Sequence, residues 1–481
     1  MARLLWTDPF WNGKRKPFVI GVVMSSLSVI LMFFAVMSYL YGSLWRSTHR
    51  ASNLNILAVD FDGGVIGQSL SAGYSALKGN KFPTLHFKSS EEYSTVEDIR
   101  NAVCRGDYWA AIFAQDGASA RLSAALSGGV AAASYNSSNT LTYVYNEAHY
   151  PTIQSAYILS NMQTLIGAAG SIYNSLNGTS AAKVLNTNDL NATMALLNPI
   201  SASSINIMPT PQGTKALYNT VTLVLPIIQQ FFFLMALNGI SNSFGIYGYL
   251  SSLHVGLIRM IVSISYTFLA ALTLAGYIWA FREDWDVTSA QFVLTWMAMW
   301  LYMHVNFLVL DAATAFVPLS FLTFFVLPWA IINVTSTIFP FELSPDFYKL
   351  GYALPGHQVV SILFQVWSGG CNNQLSRALP VLFAWEIFGW IVSGWGVVYR
   401  NKAARAEVLK EAEARNAPQT ASTTGTQKLQ EKPDSNSNSM HHKLERRHTG
   451  PPGLPMPFQG MYTLAEDGGE SGLNLVKDKR N

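Results

Sequence analysis

The sequence predicts a polytopic α-helical membrane protein with six transmembrane helices, a large exoplasmic α/β domain between the first and second, and a disordered cytosolic tail. Three observations lead there. Only 12% of the 481 residues are charged while 13% are aromatic, a balance that suits a chain in contact with lipid. Residues 18–42, FVIGVVMSSLSVILMFFAVMSYLYG, carry no charge, and at about 1.5 Å per residue they reach across a hydrocarbon core of about 30 Å. A long segment, 43–215, then lacks any such run and has the length of one globular domain.

Residues 1–17 form a short cytosolic tail. Arg3, Lys14, Arg15 and Lys16 precede the first helix, and only Arg46 and Arg50 follow it; basic flanks stay on the cytosolic side. The run 18–42 ends in the interfacial aromatics Tyr39 and Tyr41, with Trp45 just beyond, so it reads as an uncleaved anchor, a cleaved signal peptide having a shorter apolar core.

The segment 43–215 alternates strand-like and helix-like stretches. LNILAVDF, DYWAAIFA and TLTYVYNEA read as strands, while GGVIGQSLSAGYSALKG and TIQSAYILSNMQTLIGAAGSIYNSL read as helices, a pattern that predicts an α/β fold. Sequons at Asn136, Asn177 and Asn191 are candidate N-glycosylation sites on the exoplasmic side. A fourth, at Asn333, lies too near a membrane end to be an acceptor.

Residues 216–399 form a five-helix membrane domain, with apolar runs at about 217–240, 253–281, 289–310, 314–334 and 378–399 and an outer loop at 335–377. The sequence LVLDAATAFVP between the fourth and fifth runs predicts a tight hairpin at Asp311. The acidic loop REDWDVT, 282–288, faces outward, and Phe339–Trp367 predicts a short helix lying along or dipping into the outer leaflet. Six spans return the chain to the cytosol, in keeping with Arg400, Lys402, Arg405, Lys410 and Arg415 after the last one. The tail 400–481 begins as a charged helical extension, NKAARAEVLKEAEARNA, and turns into TASTTGTQKLQEKPDSNSNS and PPGLPMP, compositions that do not bury enough apolar surface to fold. HHKLERRH, His441–His448, is a solvated basic patch or a contact for anionic lipid.

Several function classes are disfavoured. A net charge of +3 on a chain this long, with no basic stripe, argues against nucleic-acid binding. Two cysteines, Cys104 and Cys371, are too few for a structural zinc site, and neither metal nor cofactor is expected. In this topology both lie on the oxidising side, and their pairing depends on a distance that spacing does not fix. No G-x-x-x-x-G-K-[ST] stretch occurs, so the chain has no phosphate-cradling loop of that kind. NILAVDFDGG contains the D-x-D-G pattern of aspartyl-nucleophile phosphatases, but the lysine and downstream acidic magnesium site such chemistry needs are not evident. Asp60, Asp62, Gly63 and Gly64 read instead as a strand-to-helix turn, and the tripeptide Arg105–Asp107 (RGD) as a strand-entry turn. The chain is expected not to be an enzyme.

The stretches AVDFDGGVIGQSL, FPTLHF, YWAAIFA, LTYVYNEAHYP and FELSPDFYKLGYALPGH, in this order, resemble the fungal nitrosoguanidine-resistance membrane proteins. That family is similar to bacterial phage-infection proteins and to the type-2 permeases of ABC exporters. The likeness covers roughly residues 15–400. It implies one anchor helix, a large exoplasmic insertion, a five-helix bundle and a role in resistance to toxic small molecules at the plasma membrane.

Ionisable side chains within spans cost a few kcal/mol each on insertion scales and are functional candidates. Glu386 in the last span, His304 in the fourth, Arg259 near the cytosolic end of the third, and Asp311 are the candidate transport residues; a Glu386 that snorkels or bonds to a neighbouring helix and an interfacial Arg259 are the plainer alternatives. Pro226 and Pro328 predict kinks, with Gln229 and Gln230 facing the bundle interior. The expected function is export or lipid translocation of a small-molecule or lipid substrate, driven by protons or by a partner ATPase, with the lipid bilayer and a homo-oligomer as further partners. The alternative is a non-transporting scaffold or regulator of lipid asymmetry and permeability.

Overall fold

The computed structural model describes residues 5–416; the expectations for the tail beyond them, His441–His448 included, lie outside the described residues. Helix α1, Arg15–Ser43, is apolar around its whole circumference and exposed over most of its length, as a helix facing lipid must be. Its last turn is held against a later segment, where the Tyr348 hydroxyl donates to the Tyr39 carbonyl at 2.7 Å.

Five strands follow: β1 Asn55–Asp60, β2 Thr84–Lys88, β3 Ala110–Ala114, β4 Leu141–Tyr145 and β5 Ala202–Asn206. They lie in the order β2-β1-β3-β4-β5. β1 pairs in parallel with β2 and β3, β3 pairs antiparallel with β4, and β4 pairs in parallel with β5. β1 and β3 are continuous apolar runs because both faces are covered: Ile56, Ala58 and Ile112 point into the large core, Leu57, Val59 and Phe113 into a smaller one. The three strands read from the sequence are β1, β3 and β4. β2 and β5, at the sheet edges with weak apolar alternation, are additions.

The helices of this part are α2 Val65–Leu77, α3 Val96–Arg105, α4 Ala118–Leu126, the short α5 Val130–Ala133 and α6 Pro151–Ile153, then α7 Ser160–Val184 and α8 Leu190–Leu197. α2 lies on α7 at close range: a Cβ on Gly73 would meet the Ala169 backbone nitrogen at 3.0 Å. α3 starts at a capping box in which Thr95 and Asp98 satisfy each other's backbone N–H groups. It ends at Gly106 with φ 84°, the left-handed position that favours glycine.

The rest is a helical bundle of α9 Val221–Ser243, the short α10 Ile246–Tyr249, α11 Ser252–Ala280, α12 Ser289–Phe316, α13 Thr323–Ile338, α14 Pro355–Trp367 and α15 Leu375–Asn416. Among the described residues six helices are long and apolar enough to cross a membrane: α1, α9, α11, α12, the stretch Leu319–Ile338 and α15. α12 is the centre of the bundle, packed by α9, α11, α14 and α15. The hairpin expected at Asp311 is corrected: Asp311 lies inside α12 and is 1% exposed. Ala312, Ala313 and Ala315 carry the helix on, and the turn comes only at Val317 and Pro318, where proline disfavours a helical predecessor. α14 does not lie along lipid. Its residues Pro355–Phe364 are all buried among α12, α13 and α15. Gln230 faces inward, but its amide atoms make no hydrogen bond.

The described residues 5–416 belong to one compact unit, because sheet and bundle share a core. Tyr150 packs on Phe364 of α14 with ring centroids 4.7 Å apart, and His149 stacks on Trp109 at 4.7 Å. A disulfide joins Cys104 of α3 to Cys371, with Cα atoms 4.6 Å apart, and Asn372 N–H donates to the Cys104 carbonyl. Near the same junction, burial pushes the Glu147 carboxyl up, but the Lys215 ammonium at 2.6 Å and the Thr210 N–H outweigh it and hold it below the usual range.

Burial pushes the His149 imidazole down to about 4. Between that value and about 6.5 the unfolded chain binds a proton that the folded chain refuses, so stability falls as pH drops through this window. The ring keeps some solvent contact, which makes about 3 kcal/mol an upper bound. Unfolding curves between pH 7 and 4.5 should show His149→Phe losing less stability on acidification than wild type. Separately, replacing both Cys104 and Cys371 with serine should lower stability by about 2–4 kcal/mol in thermal unfolding, the disulfide closing a long loop.

Candidate functional site

The ionisable residues of the spans converge on one face of α12. His304 and Asp311 are spaced i, i+7 on this helix, and Glu386, Ser393 and Arg400 are spaced i, i+7, i+14 on α15. Seven residues make about two turns, so each series stays on one side of its helix. The packing of α12 against α15 brings the two series face to face, giving two tiers about 10 Å apart along the bundle.

In the first tier Asp311 holds two guanidiniums. Arg259 Nη2 of α11 donates to Asp311 Oδ1, and Arg400 Nη1 donates to the same oxygen at 3.0 Å. The Ser393 hydroxyl donates to Oδ2. Arg400 Nη2 also donates to the Asp311 carbonyl and to the Thr314 hydroxyl, each at 2.6 Å. Arg259 Nη1 reaches the Tyr247 hydroxyl at 2.6 Å, which donates to Asn238 Oδ1 at 3.1 Å. The interfacial alternative for Arg259 is thereby corrected: the side chain is buried and paired.

In the second tier His304 Nδ1 lies 2.6 Å from Glu386 Oε1, which also accepts from Trp390 Nε1 at 2.9 Å. His304 Nε2 and the Ser263 hydroxyl are 3.2 Å apart. Glu386 Oε2 is buried without a partner. Glu386 thus bonds to His304 of the neighbouring helix α12 and to Trp390 of its own helix, as the plainer alternative of a bond to a neighbouring helix expects.

Each tier borders a cavity. One of about 850 Å³ lies between α11, α12, α14 and α15; its wall is almost wholly carbon, from residues such as Leu294, Leu301 and Phe383, with His304, Glu386, Gln291 and Gln365 among its polar side chains. A second, of about 440 Å³, is bordered by Arg259, Asp311, Ser263 and Ser393. Trp390 borders both. The rim of the larger cavity includes Gly369 and Gly370, next to Cys371, so the disulfide fixes the rim to α3. Among the described residues no group of three or more His, Cys, Asp or Glu is placed to hold a metal ion.

The residues matched by similarity coincide with this architecture. Residues 25–391 match the family described as Protein of unknown function (DUF3533). The chain belongs to the DUF3533 family. It is also similar to an uncharacterized endoplasmic reticulum membrane protein of Saccharomyces cerevisiae, 28% identical over 96 residues. That match covers 19% of this chain and 19% of the yeast protein, so the chain spans about a fifth of its relative's length. No solved structure matches. The DUF3533 match takes in Arg259, His304, Asp311, Glu386 and Trp390.

Other sequence candidates lie apart from the cavities. Asp60 Oδ1 accepts the N–H groups of Asp62 and Gly63, each at 3.0 Å. Asp62 accepts the Ser119 N–H at 2.8 Å, the Ser119 hydroxyl and the Gly64 N–H. This is a strand-to-helix turn pinned to α4. Arg105 and Asp107 pair across the end of α3 at 2.9 Å. Asn136 and Asn191 are exposed and Asn177 half-buried; Asn333 is fully buried, its Oδ1 accepting the Gly356 N–H at 2.9 Å. Arg400, Ser393 and Trp390 are site residues that the sequence reading missed. The seven-residue spacing on α15 was the available signal.

Asp311→Asn should leave two guanidiniums facing one another without a countercharge. A loss of about 3–5 kcal/mol is expected, read as a lower unfolding temperature of the purified protein.

Proposed function

We propose that the protein is a permease-like transporter that lowers the intracellular level of toxic small molecules, nitrosoguanidine-type compounds among them, by export or lipid translocation. The observation that carries this reading is the larger cavity: an apolar, half-open pocket between membrane-crossing helices, with a carboxylate and an imidazole at its wall. An apolar chamber with few polar groups is the usual form of a small-molecule site. An ionisable pair within a span is costly unless it serves a purpose such as proton relay.

In this reading the sheet-containing part is exoplasmic, carries glycans at Asn136, Asn177 and Asn191, and both chain ends are cytosolic. The membrane is the plasma membrane on the resemblance to resistance proteins, or that of the endoplasmic reticulum on the printed name of the yeast relative. Energy comes from protons through Glu386 and His304, or from a partner ATPase docking at the turn around α10, where the Asn401 amide and Arg405 reach the Leu250 carbonyl. The chain acts without a cofactor and is not an enzyme; a homo-oligomer is compatible with it. A non-transporting scaffold that alters lipid asymmetry is the competing reading.

Glu386→Gln separates them. A proton-coupled exporter loses resistance at least tenfold in half-inhibitory toxin concentration at unchanged abundance and location. A scaffold keeps it. Efflux of labelled toxin from vesicles then distinguishes a partner-driven pump from a scaffold.

A further inference from the structure

The smaller cavity is bordered by one guanidinium, Arg259, and one carboxylate, Asp311, and a second guanidinium, Arg400, stands behind that carboxylate without being part of the wall. Two guanidiniums, Arg259 from α11 and Arg400 from α15, share the single carboxylate of Asp311 from α12. The acceptor capacity of that carboxylate is taken up by both of them and by Ser393. Arg259 has otherwise only the neutral Tyr247 hydroxyl as an acceptor, and its Nε–H has none. One positive charge thus stands uncompensated in a place where ions are poorly solvated. Arg259 borders a cavity of about 440 Å³ whose other walls include Leu253, Leu257, Met260, Phe307 and Val397. His304 meets this tier only through Ser263, and Glu386 stands beyond Trp390.

We infer that the smaller cavity is a binding chamber for an organic anion with an apolar body, held with its acidic group toward Arg259 and its carbon skeleton against the aliphatic wall. This rests on the transport reading and deepens its lipid-translocation form, in which the substrate carries an acidic group; the uncharged nitrosoguanidine-type compounds are not the ligand of this chamber. The charge count selects an anion: a cation would add to the surplus, and a neutral apolar molecule would leave it unanswered. The chamber has the volume for a molecule of one or two rings or a short chain, and the shared Trp390 separates it from the larger cavity. A small shift of the Arg259 side chain brings its free N–H to the anion.

Two glycines make the test selective. Gly256 and Gly394 both border the chamber, and a Cβ at either position meets nothing within 4 Å, so a larger side chain enters the cavity without touching the charged trio. The full-length protein in nanodiscs of zwitterionic lipid is titrated with the fluorescent anion anilinonaphthalene sulfonate, with laurate and dodecylamine as competitors. Saturable binding is expected, displaced at least tenfold more readily by laurate than by dodecylamine. Gly256→Leu, Gly394→Leu and Arg259→Gln should each weaken it at least tenfold. If Arg259→Gln fails to fold, the two glycine variants, checked by their unfolding temperature, decide the matter. Equal displacement by both competitors, or unchanged binding in both glycine variants, overturns the inference. A wild-type chain that does not bind the probe, while Glu386→Gln still abolishes resistance, overturns this inference alone and leaves the transport reading standing.

Discussion

The Asp311 carboxylate is the point on which the membrane bundle depends. It joins three helices: α12 supplies it, α11 and α15 each bring a guanidinium to it, and Ser393 takes its second oxygen. In water such contacts contribute little, because solvent competes for every one of them. Inside a bilayer-sized bundle the alternative to pairing is an unsolvated ion, so the arrangement fixes which faces of α11, α12 and α15 meet. Once those faces are set, the seven-residue spacing on α12 and α15 places His304 against Glu386 two turns away. The larger cavity is what the same three helices and α14 leave open beyond that pair.

The sheet-containing part is built into this bundle. The central strand β3 is preceded by Trp109, which stacks on His149; the neighbouring Tyr150 packs against Phe364 of α14. α14 is itself tied to α12, with Gln291 Nε2 donating to the Val366 carbonyl at 2.8 Å and Trp367 Nε1 to the Thr295 hydroxyl at 3.0 Å. Together with the Cys104–Cys371 disulfide, these contacts connect the sheet to two walls of the larger cavity. A change in the sheet region has a short covalent route to the cavity rim, through α3 and the glycine pair Gly369 and Gly370.

Some features were open to one-dimensional reading because they rest on composition along the chain. The uncharged run within α1, the apolar stretches of α9, α11 and α15, and the continuous apolar strands β1 and β3 announce themselves through local burial demand. The edge strands β2 and β5 did not, since their pairing partners supply the hydrogen bonds and little apolar alternation is needed. Asp311 misled for a related reason. A charge between two apolar runs reads as a turn when its partners are unknown, but Arg259 and Arg400 neutralise it and let the helix continue to Phe316. Arg400 was read only as part of a basic cytosolic flank, though it reaches back into the bundle.

The sequence by itself determined that the chain meets a membrane and which helices are long and apolar enough to cross it. These follow from the cost of placing backbone and charge in hydrocarbon, which is paid residue by residue. The tertiary structure alone decided that Arg259 pairs with Asp311 and His304 with Glu386, that Cys104 meets Cys371, and that two cavities share Trp390. Those outcomes depend on the rotation and depth of packed helices, and such geometry comes from contacts between residues far apart in the chain.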